Sequence, residues 1–259
     1  MPTLPTYPAP RDLLRGKRVL ITAAAGTGIG FATARRCAEE GAQIFISDIH
    51  ERRLREAVEK LRGEGLQVAG SALCNVAREE DVQSLFDAAE STLGEIDVLV
   101  NNAGLGGTAS VVDMTDEAWA QVLDVTLTGT FRMTRAAFRR MIPRARGAIV
   151  NNASVLGWRA QEGQAHYAAA KAGVMALTRC SAVEVAAHNI RVNAVAPSLA
   201  MHAFLHKVTT PDLLAELSSR EAFGRPAEVW EVANVIAFLA SDYASYMTGE
   251  VVSVSSQRA

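Results

Sequence analysis

Cysteine is scarce in this chain: three residues in 259, Cys37, Cys74 and Cys180, far apart in sequence. An odd number at such spacings fits neither a disulfide framework nor a metal-ligand pattern. No metal site is therefore expected, and a reducing, cytoplasmic setting is. An excess of charge of one sign is also lacking. Lys and Arg number 26 against 28 Asp and Glu, a formal net charge of −2. That balance excludes the electrostatic footprint of a protein that binds nucleic acid or an anionic membrane. No apolar run approaches the roughly 20 residues that span a bilayer. Proline is rare outside one place: half of the eight prolines fall in the opening "MPTLPTYPAP". This opening has no basic n-region and no apolar h-region, so it does not read as a signal peptide. Residues 1–15 are expected to form a Pro-rich arm, either disordered or laid over a neighbouring subunit.

Apolar sequence is abundant, at 49% of the residues, enough for a substantial core. After the arm, apolar runs of strand length alternate with helical patterns. "KRVLIT" (17–22), "AQIFISD" (42–48), "LQVAGSALC" (66–74), "IDVLVNNA" (96–103), "GAIVNNAS" (147–154), "IRVNAVAP" (190–197) and "EVVSVS" (250–255) read as strands. Helices are expected over 29–40, 51–62 and 78–91, in a zone from about 115 to 141, and over 164–187. Strand alternating with helix implies parallel strands joined by crossovers. The strands are continuous Val/Ile/Leu runs, as strands covered on both faces are. No linker or repeat follows residue 15. Residues 16–259 therefore read as a single α/β domain with a doubly wound, parallel, seven-stranded sheet.

The first strand runs straight into "TAAAGTGIG" (22–30), where a helix begins. Gly26, Gly28 and Gly30 allow a tight turn and a close approach of backbone to ligand. The free N–H groups and positive end of the helix favour a pyrophosphate. Strand, glycine turn and helix in that order form the context of a dinucleotide site; a turn that merely needs glycine is the lesser alternative. Asp48 ends the second strand, 20 residues after Gly28. A carboxylate there can accept hydrogen bonds from ribose hydroxyls. Its alternative role is to cap the helix that begins at residue 51.

"HYAAAK" (166–171) sets Tyr167 and Lys171 four residues apart in an alanine-rich, helix-favouring run. On a helix the two share a face. Ser154 lies thirteen residues before Tyr167, "NNAG" (101–104) ends the fourth strand and "RVNAVAP" (191–197) the sixth. In this order, with the glycine turn, these pieces resemble the short-chain dehydrogenase/reductase family over residues 16–259. The resemblance implies a Rossmann fold, a nicotinamide cofactor and oxidoreduction between a secondary alcohol and a ketone. It implies catalytic roles for Tyr167 as proton donor or acceptor and Ser154 as partner of the substrate oxygen. Lys171 would lower the phenol pKa and hold the nicotinamide ribose, and Thr126 stands where the family has a proton-relay Asn. Cofactor contacts would fall on Gly26, Thr27, Gly28, Ile29, Gly30, Asp48, Asn75, Val76, Asn102, Ala103, Gly104, Tyr167, Lys171 and Pro197. Asp48 makes NAD(H) the expected cofactor in preference to NADP(H).

Further departures from the family pattern are Ala24 for a glycine, Asn75 for an aspartate, Ser198 for a glycine, His202 for a threonine and "SSQ" (255–257) for "DGG". The segments "TAAAGTGIG", "DVTLTG", "NNASVLGWRAQ", "HYAAAKAGVMALTRCS" and "GEVVSVSSQRA" together resemble an actinobacterial-type subgroup associated with steroid breakdown. That implies a hydroxyl or ketone on a bicyclic acyl-CoA left from steroid rings C and D as substrate. Ser154, Trp158, Gln164 and His202 are the expected substrate contacts, under a lid around 198–225. The Trp158 indole suits a ring system but could equally pack on its own protein. In the lid, Met201, Phe204, Leu205, His206 and Lys207 could cover an acyl part and meet phosphates. A solvated amphipathic helix is the plainer reading there, and Arg159 is similarly open. A general 3-oxoacyl-thioester reductase is the alternative substrate class, and a dinucleotide-binding protein without turnover the alternative outside it. Family resemblance also implies a homotetramer.

Overall fold

The structure, a computed structural model, describes residues 4–201 and 211–256, apart from the side chain of Leu213. His202, Phe204, Leu205, His206, Lys207 and Gln257 lie outside the described residues. The strands are β1 (Arg18–Ile21), β2 (Gln43–Asp48), β3 (Val68–Leu73), β4 (Val98–Asn101), β5 (Gly147–Asn152) and β6 (Ile190–Pro197), then the two-residue β7 (Ala200–Met201) and β8 (Ala227–Glu228), and β9 (Val251–Val254). The helices are α1 (Ile29–Glu39), α2 (Glu51–Gly63), α3 (Glu79–Leu93), α4 (Asp116–Leu123), α5 (Gly129–Met141), α6 (Ala165–Val185), α7 (Pro211–Arg220) and α8 (Val229–Ala240).

Seven strands form one sheet in the order β3-β2-β1-β4-β5-β6-β9, and every pairing is parallel. Side chains of a strand alternate between faces, and in the inner strands β2, β1, β4, β5 and β6 both faces are dry. Val19, Ile21, Ile44, Ile46, Val98 and Val150 pack with α1, α2 and α8. Leu20, Phe45, Leu99 and Ile149 pack on the other side with α3, α5 and α6. This explains the continuous apolar runs: an alternating pattern would leave one face polar. Each such side chain contributes roughly 1.5–3 kcal/mol on full burial.

The chain leaves β1 towards β2 and β3, then returns to place β4 on the opposite flank of β1. At this switch point the carboxyl ends of β1 and β4 diverge and leave a crevice, the place where doubly wound sheets take ligands. The small β7–β8 ladder and α7 follow β6 within the expected lid segment.

One feature differs from expectation. The described part of the arm crosses its own chain. Arg36 of α1 donates to the Pro8 carbonyl at 2.7 Å. The Glu40 carboxylate accepts from the Arg11 and Leu13 amides at 2.8 and 3.0 Å. The Tyr7 ring meets Trp230 of α8 edge to face, 5.3 Å between centroids, and Leu14 is fully buried. The helical zone expected at 115–141 is present, as two helices. A π-helical turn, Asp124–Thr128, separates α4 from α5. Such turns mark places where a helix ladder is broken for another contact.

Candidate active site

The crevice is built from four strand ends. At the end of β1 the Thr22 hydroxyl accepts from the amides of Asn102 (3.0 Å) and Ala103 (3.1 Å), tying the exit of β4 to the glycine turn. The Asn102 side chain donates to the carbonyls of Thr22 (3.3 Å) and Ala23 (3.0 Å). Ala23 has φ 49°, the left-handed region, while Ala24, where the family has glycine, has no positive φ and donates its N–H to Ser47 at 2.9 Å. An alanine at 24 therefore carries no backbone strain; the strained residue is its neighbour. Gly26 has φ 89°. Gly30 is required for another reason: a Cβ there would lie 2.3 Å from the Ala23 oxygen.

α1 begins at Ile29 with Gly28 as N-cap, no side chain bonded to its first amides and no acid in its first turn. A Cβ built on Gly26 or Gly28 meets nothing within 4 Å, and Thr27 is exposed. The turn is thus open outward with unspent N–H groups. Asp48, 8% exposed, accepts from Ala25 N at 3.2 Å and His50 N at 3.0 Å. Burial pushes its carboxyl above the ordinary value, opposed by the Ala25 N–H and by Arg53. His50, not Asp48, is the N-cap of α2. Asn75 accepts from Ala77 N at 3.0 Å through its side-chain oxygen. Val76 packs against Gly129, where a Cβ would stand 2.6 Å from it. Pro197, the last residue of β6, is buried and in register with Val254.

Ser154, Tyr167 and Lys171 come together over this crevice. Ser154 caps a short 3₁₀ turn through Leu156 N at 3.2 Å, and its hydroxyl is close enough to the Tyr167 phenol to oppose the rise of the phenol pKa. Lys171 Nζ lies 5.5 Å from the Tyr167 ring centroid and donates to the Asn152 carbonyl at 2.5 Å. Gly104 lies beside the lysine: a Cβ there would be 3.4 Å from Nζ, an ordinary contact. Burial dominates the titration of both groups. Burial raises the Tyr167 phenol, with the Ser154 hydrogen bond opposing, and burial pushes Lys171 down to about 8. Desolvation disfavours both charged forms.

Thr126 is fully buried in the π turn. Its hydroxyl accepts from Leu105 N at 3.0 Å and donates to Leu105 O at 3.1 Å. A hydroxyl has one proton to donate, and this one is engaged by the loop after β4. Gln164 grips the same loop, donating to Gly107 O at 2.7 Å and to the Thr108 hydroxyl at 3.2 Å. Trp158 follows the 3₁₀ turn and is 43% exposed. The residue that the reading of the sequence missed is Asn152. A signal was present: "VNNA" occurs twice, at 100–103 and 150–153.

Comparison with known proteins agrees with this geometry. A family model described as enoyl-(acyl carrier protein) reductase matches residues 23–256. The chain is 60% identical over 251 residues, 96% of its length and 95% of the relative's, to the (5R,7aS)-5-hydroxy-7a-methyl-1-oxo-2,3,5,6,7,7a-hexahydro-1H-indene-carboxyl-CoA reductase of Mycobacterium tuberculosis. The chain belongs to the short-chain dehydrogenase/reductase family. It is 41% identical over 93% of its length and 97% of the relative's to the 3-oxoacyl-(acyl-carrier-protein) reductase FabG of Thermotoga maritima. A crystal structure of a short chain dehydrogenase from Mycobacterium smegmatis superposes with TM-score 0.89 at 56% identity, covering 99% of both chains. A short-chain dehydrogenase/reductase is an oxidoreductase that works with a nicotinamide dinucleotide, and the open glycine turn at an uncapped helix N-terminus fits the pyrophosphate of that group. Among the described residues no helix is long and apolar enough to cross a membrane, and no cluster of three or more His, Cys, Asp or Glu could hold a metal.

Proposed function

We propose that the protein interconverts a secondary alcohol and a ketone on a bicyclic, steroid-derived acyl-CoA, with NAD(H), as a cytoplasmic homotetramer. The observation that carries the substrate class is the 60% identity, along nearly the whole chain, to a reductase named for an indene-carboxyl-CoA. A dinucleotide held at the glycine turn and by Asp48 would supply or accept the hydride. Tyr167 gives a proton from its phenol to the carbonyl oxygen, or takes one from the alcohol. Ser154 stabilises the charge that develops on that oxygen. Lys171, together with an oxidised nicotinamide, would favour the ionised phenol, and it would hold the cofactor ribose. The half-open indole of Trp158 supplies an apolar face to the rings, and Gln164 and His202 are the further substrate contacts. Thr126 supports catalysis from the π turn.

Preference for NAD(H) rests on Asp48. A 2′-phosphate beside a carboxylate places like charges a few ångströms apart, roughly 4 kcal/mol for a unit pair at 4 Å in an effective dielectric of 20. Arg53 acts on Asp48 through its charge and offsets part of this. Arg52 is paired with Glu56 at 3.0 Å. The tetramer is supported by apolar surface on α5 and α6: Phe131 and Val183 are exposed, and an apolar cleft of about 370 Å³ lies between these helices. Tyr243 and Tyr246, exposed near β9, suit a second contact.

Identity of 41% to a FabG protein favours one other substrate class, linear 3-oxoacyl thioesters. One assay separates the two. Purified protein is offered NADH or NADPH with an oxo-hydroindane-carboxyl-CoA and, separately, with acetoacetyl-CoA. The expected result is at least tenfold higher kcat/KM for the bicyclic thioester and for NADH. Preference for acetoacetyl-CoA overturns the substrate class, and equal use of NADPH overturns the role of Asp48.

A further inference from the structure

The geometry points to Asn152 as a positioning residue that ties the active-site lysine to the dinucleotide loop. β4 and β5 are paired only as far as Asn101 opposite Asn151. One residue further on, side chains continue the pairing: Asn152 Nδ2 donates to Asn102 Oδ1 at 2.9 Å. Asn102 Nδ2 in turn donates to the Ala23 carbonyl at 3.0 Å. At the other end, the Asn152 carbonyl receives Lys171 Nζ at 2.5 Å. A single path of hydrogen bonds thus runs from Lys171, through both amides, to the left-handed residue of the glycine turn.

Two details make the path directional and tight. Asn102 Nδ2 faces two carbonyls, those of Thr22 and Ala23, so its oxygen must face Asn152, and Asn152 must present its NH₂ group. That choice leaves Asn152 Oδ1 buried with no hydrogen-bond partner. Little slack is available at the loop end. A Cβ added to Gly30 would sit 2.3 Å from the Ala23 oxygen and 2.4 Å from Asn102 Nδ2. A shift of Asn102 therefore moves the first turn of α1, whose N–H groups are the pyrophosphate ligands in the reading above.

The matching pair on the opposite face supplies a control. Asn101 Nδ2 donates to Asn151 Oδ1 at 2.9 Å and to the Thr134 hydroxyl at 3.2 Å, and Asn151 Nδ2 donates to the Thr178 hydroxyl at 2.9 Å. This ladder joins the sheet to α5 and α6 and touches neither loop nor lysine. It has the chemistry of the Asn102–Asn152 pair without the connection.

The inference rests on the dinucleotide site described above, and the experiment separates the two. NADH binding is titrated by nucleotide fluorescence on the full-length protein and on Asn152→Val, Asn152→Asp and Asn151→Ala. The pH profile of kcat/KM and the melting temperature are recorded alongside. Asn152→Val removes the donor; Asn152→Asp keeps the shape but presents an acceptor to an acceptor. Both are expected to weaken NADH binding about tenfold and to displace the alkaline limb of the pH profile. Asn151→Ala is expected to lower the melting temperature with NADH affinity within twofold of wild type. If Asn152→Val fails to fold, Asn152→Asp carries the same test. Wild-type affinity and pH profile in the Asn152 variants overturn the proposal, as does an equal loss of affinity in Asn151→Ala. Failure of the wild type to bind NADH or NADPH overturns the dinucleotide site itself.

Discussion

Replacing Lys171 with methionine should make the protein more stable at neutral pH while abolishing turnover. Lys171 is 3% exposed, and burial lowers its pKa from 10.5 to about 8. The gap between those values, at 1.36 kcal/mol for each pH unit, is roughly 3 kcal/mol for keeping the ammonium charged in place. Methionine has similar length and no charge, so it removes this cost. It also leaves the Asn152 carbonyl without its donor, which opposes the gain by about 1–2 kcal/mol. The net expectation at pH 7 is about 1–2 kcal/mol in favour of Lys171→Met. The sign depends on pH. Between about pH 8 and 10.4 the lysine of the unfolded chain holds a proton that the folded one has released, so wild-type stability rises with pH in that window. Below pH 8 the cost is present in full. By pH 10.5 it is nearly gone, only the lost hydrogen bond counts, and the variant should be the less stable by about 1 kcal/mol. Urea unfolding of both proteins at pH 7, 9 and 10.5, at one fixed protein concentration, measures the difference and cancels other titrating groups. A wild-type-to-variant difference that stays constant across the three pH values would refute a buried, depressed lysine.

Tyr167→Phe should bind the dinucleotide normally and lose roughly 10²–10⁴-fold in kcat, the usual contribution of a general acid or base; activity within a few-fold of wild type removes the phenol from the mechanism. Ala23→Gly should raise stability by about 0.5 kcal/mol, because a left-handed alanine costs about 1 kcal/mol or more and the unfolded freedom of glycine returns part of that. A lower melting temperature for this variant contradicts the conformation at residue 23. Thr126→Asn can rebuild both bonds to Leu105 and should keep activity. Thr126→Val cannot, and should lose about 1–3 kcal/mol in urea unfolding together with kcat. Equal stability and activity in the valine variant would show that the loop does not depend on this hydroxyl. Sedimentation at micromolar concentration should find a species near four times 27.6 kDa, and a monomer alone refutes the tetramer.

Much of the architecture was legible in the residues, because it follows from periodicity. Val19, Leu20 and Ile21 are all apolar since each side of β1 faces a layer of helices, and that condition is written in any run of three. The glycine turn before α1 and the four-residue step from Tyr167 to Lys171 are local spacings, so chain order alone sufficed to place them on an open helix N-terminus and on one helix face. The family followed from the same spacings. What the chain order could not decide is what meets across the sheet. The arm could have crossed a neighbour; it crosses α1 and α8 because Glu40 and Trp230 offer partners there. The Thr126 hydroxyl turned to Leu105, 21 residues away, and Asn152 reached Asn102, 50 residues away, contacts set by strand register and by a π turn. The directions of the Tyr167 and Lys171 pKa shifts are set by burial. Desolvation is a property of everything packed around a group, and only the tertiary structure determines it.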